Sequence, residues 1–109
     1  MQIDFEKLPE LKIQNMNGGT GTISARMFAD ANGKIMLSRI PAGASIGEHT
    51  HTTSSEVNYI LQGNGVQVCG GEEEPLSAGG CWYCPQGQTH GIRNTGTDEL
   101  ILYTVVAEK

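Results

Sequence analysis

Short apolar runs separated by glycine-rich turns dominate the chain. Thr22–Ala29 and Lys34–Ile40 flank Asn32-Gly33, which predicts a hairpin, and Pro41-Ala42-Gly43 ends the second run. Glu56–Gln62, Val66–Cys69, Glu72–Leu76, Cys81–Cys84, His90–Asn94 and Leu100–Ala107 follow at short spacing. Gly63-Asn64-Gly65, Gly70-Gly71 and Gly79-Gly80 punctuate them. A helical period is hinted only by Phe5, Leu8, Leu11 and Lys12, and Pro9 interrupts it, so a single turn is expected there. Roughly six to nine short strands with almost no helix predict an all-β sandwich or barrel.

Two of these strands are apolar where a simple barrel wall would be polar. From Glu56 the parity of an extended chain puts Asn58 and Ile60 on one face and Val57, Tyr59 and Leu61 on the other. In Leu100–Ala107 both faces are apolar: Leu100, Leu102 and Val106 on one, Ile101, Tyr103 and Val105 on the other. A wall with one wet side should alternate, so the second apolar face needs a cover. Ile3, Phe5 and Leu8 of the N-terminal segment are expected to supply part of it, and a two-fold partner the rest, which predicts a homodimer.

The chain has 109 residues, which predicts a single domain, residues 1–109, with residues 1–20 forming an N-terminal arm and the first strands. Fifteen glycines without a repeat fit many tight turns. The net charge is −5 and the seven basic residues form no run, which argues against nucleic acid as a partner. No apolar run approaches the ~18 residues of a membrane span. The first fifteen residues carry Asp4, Glu6 and Glu10 and no apolar signal-type core. Cys69, Cys81 and Cys84 are odd in number, so free thiols and a cytoplasmic location are expected. Glu72-Glu73-Glu74 reads as a solvated turn or a charge-protected edge strand.

All three histidines lie in two glycine-bounded segments. The first runs from Gly43 through His49-Thr50-His51 and Glu56 to Gly63; the second runs from Gly79 through Pro85-Gln86-Gly87 and His90 to Asn94. His49 and His51 are two apart, so an extended chain points both to one face, where two imidazoles can share a metal. Thr52–Ser55 gives the chain room to turn before Glu56, and the Pro85-Gln86-Gly87 turn returns His90 toward the same cavity. Three imidazoles and one carboxylate suit one divalent transition metal per chain, among Mn, Fe, Co, Ni, Cu and Zn. Near pH 7 the imidazoles are neutral and the carboxylate ionised, as ligation requires.

These two segments resemble, position by position, the paired motifs of the cupins, G(x5)HxH(x3–4)E(x6)G over residues 43–63 and G(x5)PxG(x2)H(x3)N over residues 79–94. The short connection resembles that of small single-domain bacterial cupins. One departure is Gly79-Gly80, where many cupins have Gly-Asp; the missing Asp is not a ligand there. The resemblance implies a jelly-roll (double-stranded β-helix) barrel with the metal inside, held by His49, His51, Glu56 and His90. It implies turn roles for Gly43, Gly63, Gly79, Pro85 and Gly87 and a structural role for Asn94. Single-domain cupins of this kind are often dimers, which agrees with the apolar second face.

Other residues carry less. Cys81 and Cys84 sit three apart in a strand, hence on opposite faces and too far apart to bridge, so packing thiols are expected, one of them near the cavity. Trp82 and Tyr83 face opposite ways, one into the barrel. Parity turns Asn58, Ile60, Ile92 and Asn94 to the cavity, and Asn58 is a candidate ligand contact. Arg26, Arg39 and Arg93 are candidate anchors for a substrate carboxylate. The cupin barrel hosts dioxygenases, decarboxylases, isomerases, lyases and non-catalytic sensors, so fold alone does not fix the reaction. Three readings follow: a metal-dependent enzyme acting on a small polar or carboxylate-bearing metabolite, a non-catalytic small-ligand-binding or sensor module, and a structural metal barrel. No histidine remains outside the four ligand positions, and no general base is singled out.

Overall fold

The computed structural model describes residues 1–109. A 3-10 turn at Phe5–Lys7 precedes ten strands: β1 Leu11–Gln14, β2 Thr22–Asp30, β3 Gly33–Ile40, β4 Ser45–Thr50, β5 Ser54–Gln62, β6 Asn64–Cys69, β7 Glu72–Ser77, β8 Cys81–Cys84, β9 Thr89–Asn94 and β10 Leu100–Glu108. A second 3-10 turn, Met16–Gly18, links β1 to β2. No helix is long and apolar enough to cross a membrane.

The strands form two antiparallel sheets in a jelly roll. One has the order β1-β2-β3-β10-β5-β8 and the other β4-β9-β6-β7. The Asn32-Gly33 turn is held by Asp30, whose carboxylate accepts from the Asn32 N–H at 2.8 Å. Gly33 is required there: its φ is +139°, and a Cβ would strike the carbonyl oxygen of Val106. Gly63 is equally constrained, with φ +93° and Glu99 O only 2.6 Å from where a Cβ would sit.

Between the sheets the interior changes character along the strands. Ile23, Ile40, Ile60, Leu76, Leu100 and Leu102, all nearly inaccessible, fill one end. Toward the other end come buried Ser38, Asn58 and Thr104, then Glu56 and His90. β3, β5, β9 and β10 each run from one end to the other, so one set of strands carries both the apolar plug and the polar cluster. The plug excludes water from one side of the cluster, which strengthens every electrostatic interaction there.

Two strands escape the sequence pattern. β1 falls within residues 1–20, where the first strands are expected, but at Leu11 and Lys12, whose spacing hints at a helical turn; its register with β2, Leu11 opposite Ala25, shows it extended. β4 is polar and glycine-containing, without the apolar run that marks a strand. Ten strands are present in place of the six to nine expected. The acidic run lies in β7, the exposed edge of the second sheet, where Glu73 pairs with Arg93 at 3.1 Å.

Candidate metal centre

A register shift in β4 builds the cluster. Ile46 pairs with Ile92 and His49 pairs with His90, so β4 spends three residues where β9 spends two. Without that bulge, Ile46 and His49 would face opposite ways; with it, both turn inward. Gly47 and Glu48 occupy the bulge, and a Cβ at Gly47 would collide with the backbone of Asn17. Beyond β4 the chain stays extended through His51, whose N–H donates to Gln88 O at 3.2 Å, and His51 follows His49 inward. Glu56 enters from β5 and His90 from β9.

One ligand-type atom from each of His49, His51, Glu56 and His90 lies within 4.8 Å of every other. The three imidazoles are oriented alike. Nδ1 of His49 is 2.8 Å from Gly47 O, Nδ1 of His51 is 3.1 Å from Ser54 Oγ, and Nδ1 of His90 is 3.3 Å from Gln67 Oε1. That leaves every Nε2 for the centre. Nε2 of His51 and of His90 lie 3.0 Å apart, and each approaches one oxygen of Glu56, at 3.0 and 3.1 Å. Asn58 donates to Glu56 Oε2 at 2.8 Å, and its own carbonyl accepts from Thr104 Oγ1 at 2.6 Å. Every side chain that points at the centre is thus held from behind, the arrangement that orients metal-binding imidazoles and carboxylates. The donor set fits a divalent transition ion.

The protonation states fit as well. Burial lowers the pKa of His51; the Glu56 carboxylate opposes this, and the neighbouring His90 and His49 add to the lowering. For Glu56, burial pushes upward but is outweighed by hydrogen bonding and charge from His90, donation from Asn58 and the charge of His51, so its pKa ends below the ordinary carboxylate value. Both directions favour a neutral imidazole beside an ionised carboxylate. A histidine with a lowered folded pKa binds fewer protons folded than unfolded. Its stabilisation is therefore present above the ordinary value of 6.5 and is lost as pH falls through it. Glu56 adds a second loss below its ordinary 4.5. The metal-free protein is expected to hold its Tm above about pH 7.5 and lose it in two stages on acidification. Melting curves from about pH 8 to 4 check this; a flat Tm across the first stage would contradict it.

A cavity of about 430 Å³ opens from the centre, lined by His49, His51 and Glu56 on one side and by residues of β1, β2, β3 and β10 on the other. A smaller space of about 30 Å³ lies deeper, reached by Ser38, Asn58 and Thr104. Asn58 and Ile92 face the interior as parity requires, and Asn58 is occupied in holding Glu56. Asn94 is buried and structural, bonded to Ile40 O, Asp98 O and the Gly96 N–H. Cys81 is exposed and Cys84 buried, all three thiols are free, and Cys84 lies against Cys69. Burial, then Cys69 and Glu56, push the Cys84 thiol up to about 12, which makes it a packing group. Trp82 packs on the core and Tyr83 points out.

The three arginines are corrected by the structure. Arg26 donates to Phe5 O and Leu8 O and pairs with Glu10, tying down the N-terminal segment; Arg39 pairs with Glu99, and Arg93 with Glu73. None lines the cavity at the centre, because each occupies the outward parity of its strand. Sequence reasoning missed Gln67 and Ser54, which orient imidazoles. Gln67 lies two residues before Cys69, on the inward parity of β6, but a glutamine among Val66 and Val68 carries no motif. It also missed the methionines of the cavity wall.

A β jelly roll with three imidazoles and a carboxylate converging inside it defines a barrel with a candidate metal site. The chain matches the cupin domain family over residues 36–106 and belongs to it. It is 33% identical to an oxalate-binding protein of Thermotoga maritima, over 93% of this chain and 88% of that protein. Among solved structures, one from Thermotoga maritima described as a predicted oxalate decarboxylase superposes with a TM-score of 0.93 at 28% identity, covering all of both chains. The cupin domain of Schizosaccharomyces pombe Cnp3 shares the fold alone: TM-score 0.81 and 16% identity, over all of this chain and 74% of that one.

Proposed function

We propose that residues 1–109 form one cupin domain that holds a single divalent transition metal through His49, His51, Glu56 and His90 and uses it to bind a small carboxylate-bearing metabolite. The observation that carries this is the shared orientation of the imidazoles, each with Nδ1 engaged behind it and Nε2 turned to one point. A bound divalent ion would supply a Lewis-acid or oxygen-binding centre of net charge about +1, which attracts an anion. The apolar plug closes that end of the barrel, and Asn58, itself held by Thr104, fixes one oxygen of Glu56. The name of the oxalate-binding relative supports the carboxylate.

Besides those four residues, the titratable side chains lining the cavity are Lys34 and Glu108, both exposed at its rim. Deep proton transfer by a fifth side chain has no candidate, which favours a second reading: capture of the ligand without turnover. Calorimetric titration of oxalate into metal-loaded and metal-free protein tests the common part. Binding to the loaded form alone is expected; equal binding to both would overturn it. Product analysis of the same mixture separates enzyme from binding module.

The proposal includes a homodimer in the cytoplasm, a setting that three free thiols support. Val57, Tyr59, Leu61, Tyr83, Tyr103 and Val105 are 37–56% exposed on the outer face of the six-stranded sheet. Tyr103 is opposite Tyr59, Val105 opposite Val57, and Val57 opposite Tyr83, so they form one patch without a charge. The N-terminal segment covers only its margin, through the Phe5–Tyr103 ring contact at 5.5 Å. An uncharged apolar patch is complementary to its own copy under a two-fold rotation.

A further inference from the structure

The cavity at the centre is two-sided. One wall is the polar cluster. The opposite wall is apolar and rich in thioethers: Ile13, Met16, Met27, Met36 and Val106. Met27 and Met36 are direct cross-strand partners on β2 and β3. Met36 and Val106 are buried, and Ile13, Met16 and Met27 are half-buried, so the wall is built into the fold. Three of the chain's four methionines stand here. Unbranched thioethers mould to apolar groups of varied shape.

This wall does not suit a bare dicarboxylate. Oxalate consists of two carboxylates joined directly; held through one oxygen of each, it would turn its two outer oxygens, and the charge they carry, toward methionine and isoleucine. Desolvating a carboxylate against an apolar surface is costly. The volume also exceeds the need: about 430 Å³ is within the range of pockets that enclose drug-sized ligands. Lys34, the cation of the lining, and Glu108 are both exposed at the rim, and the apolar wall itself carries no charge.

We infer that the ligand of this site is a 2-oxo or 2-hydroxy monocarboxylate with an apolar body of several carbons. This rests on the metal-dependent carboxylate binding proposed above. A 2-oxo acid offers the same O–C–C–O edge as oxalate and replaces the second charge with an alkyl group. Its head meets the histidine-glutamate cluster, and its body lies on the methionine wall.

The test is a calorimetric series on the full-length protein loaded with Zn(II), a redox-inert ion. Oxalate, pyruvate, 2-oxobutanoate, 2-oxopentanoate and 2-oxohexanoate are titrated in turn. Affinity is expected to rise about fourfold per added methylene, the equivalent of ~0.8 kcal/mol of apolar burial, with an increasingly negative heat-capacity change. Met27→Gln is expected to flatten that slope; if the variant does not fold, the slope on the unaltered chain decides. Oxalate binding with flat or falling affinity along the series overturns the inference and leaves the metal-carboxylate reading standing. Failure of oxalate and every oxo acid to bind the Zn(II)-loaded protein overturns both.

Discussion

His51→Ala is expected to abolish retention of the metal while leaving a folded barrel. The His51 side chain is 13% exposed, lies beyond the end of β4 and belongs to no part of the apolar core, so little packing is lost with it. What is lost is one of four converging donors and the partner of one Glu56 oxygen. Ser54→Ala provides the scale, because the hydrogen bond of the Ser54 hydroxyl is to the rear nitrogen of His51. Losing such a supporting partner costs about 10–100-fold in metal affinity. Loss of the imidazole itself is expected to exceed that by a wide margin. Competition with a chromophoric chelator gives both affinities, and circular dichroism checks the fold. If His51→Ala holds metal as tightly as Ser54→Ala, His51 is not a ligand.

The second large effect is expected at Tyr59. It is 43% exposed on the outer face, flanked by Tyr103 of β10 and Cys81 of β8, and its side chain makes no hydrogen bond within the chain. Tyr59→Glu should therefore leave the protomer's stability nearly unchanged, since surface substitutions away from special features stay within about 0.5 kcal/mol. In the proposed dimer it would bury an unpaired charge in the apolar patch. A buried tyrosine anchor is worth about 2 kcal/mol or more, and an unpaired buried charge adds several, so dimerisation should weaken by at least about 100-fold. Sedimentation at tens of micromolar is expected to give a dimer for the parent and a monomer for the variant. A monomeric parent would remove the dimer and leave the patch to some other cover.

Much of this was legible in the chain because the signals were local. A strand of period two fixes parity, so Glu56, Asn58 and Ile60 could be turned inward without knowing the partner strand. Asn32-Gly33 names its own turn. The spacing of His49, His51, Glu56 and His90 between turn-forming glycines and a proline carried the cluster, and the cupin resemblance carried the barrel. What escaped depends on pairing. The β4 bulge exists only relative to β9, so the inward turn of Ile46 and His49 together has no sequence mark. The arginines failed for a related reason: charge is visible in a sequence, but Glu10, Glu99 and Glu73 become their partners only across strands. Gln67 is buried among apolar neighbours, with its amide nitrogen unpaired and its oxygen on His90. Nothing short of the β6–β9 register shows that. The methionine wall is assembled from β2, β3 and the Met16–Gly18 turn, which are distant in sequence.

The centre itself is tested most directly by X-ray absorption on the full-length protein, purified without a chelating tag and reconstituted with one equivalent of Zn(II). The account predicts one ion per chain in a nitrogen and oxygen shell at about 2.0–2.3 Å, with the outer-shell scattering of three imidazoles. A sulfur scatterer in the first shell, from Cys69, Cys84 or a wall methionine, would contradict it, as would fewer than three imidazoles or an ion that washes out at neutral pH.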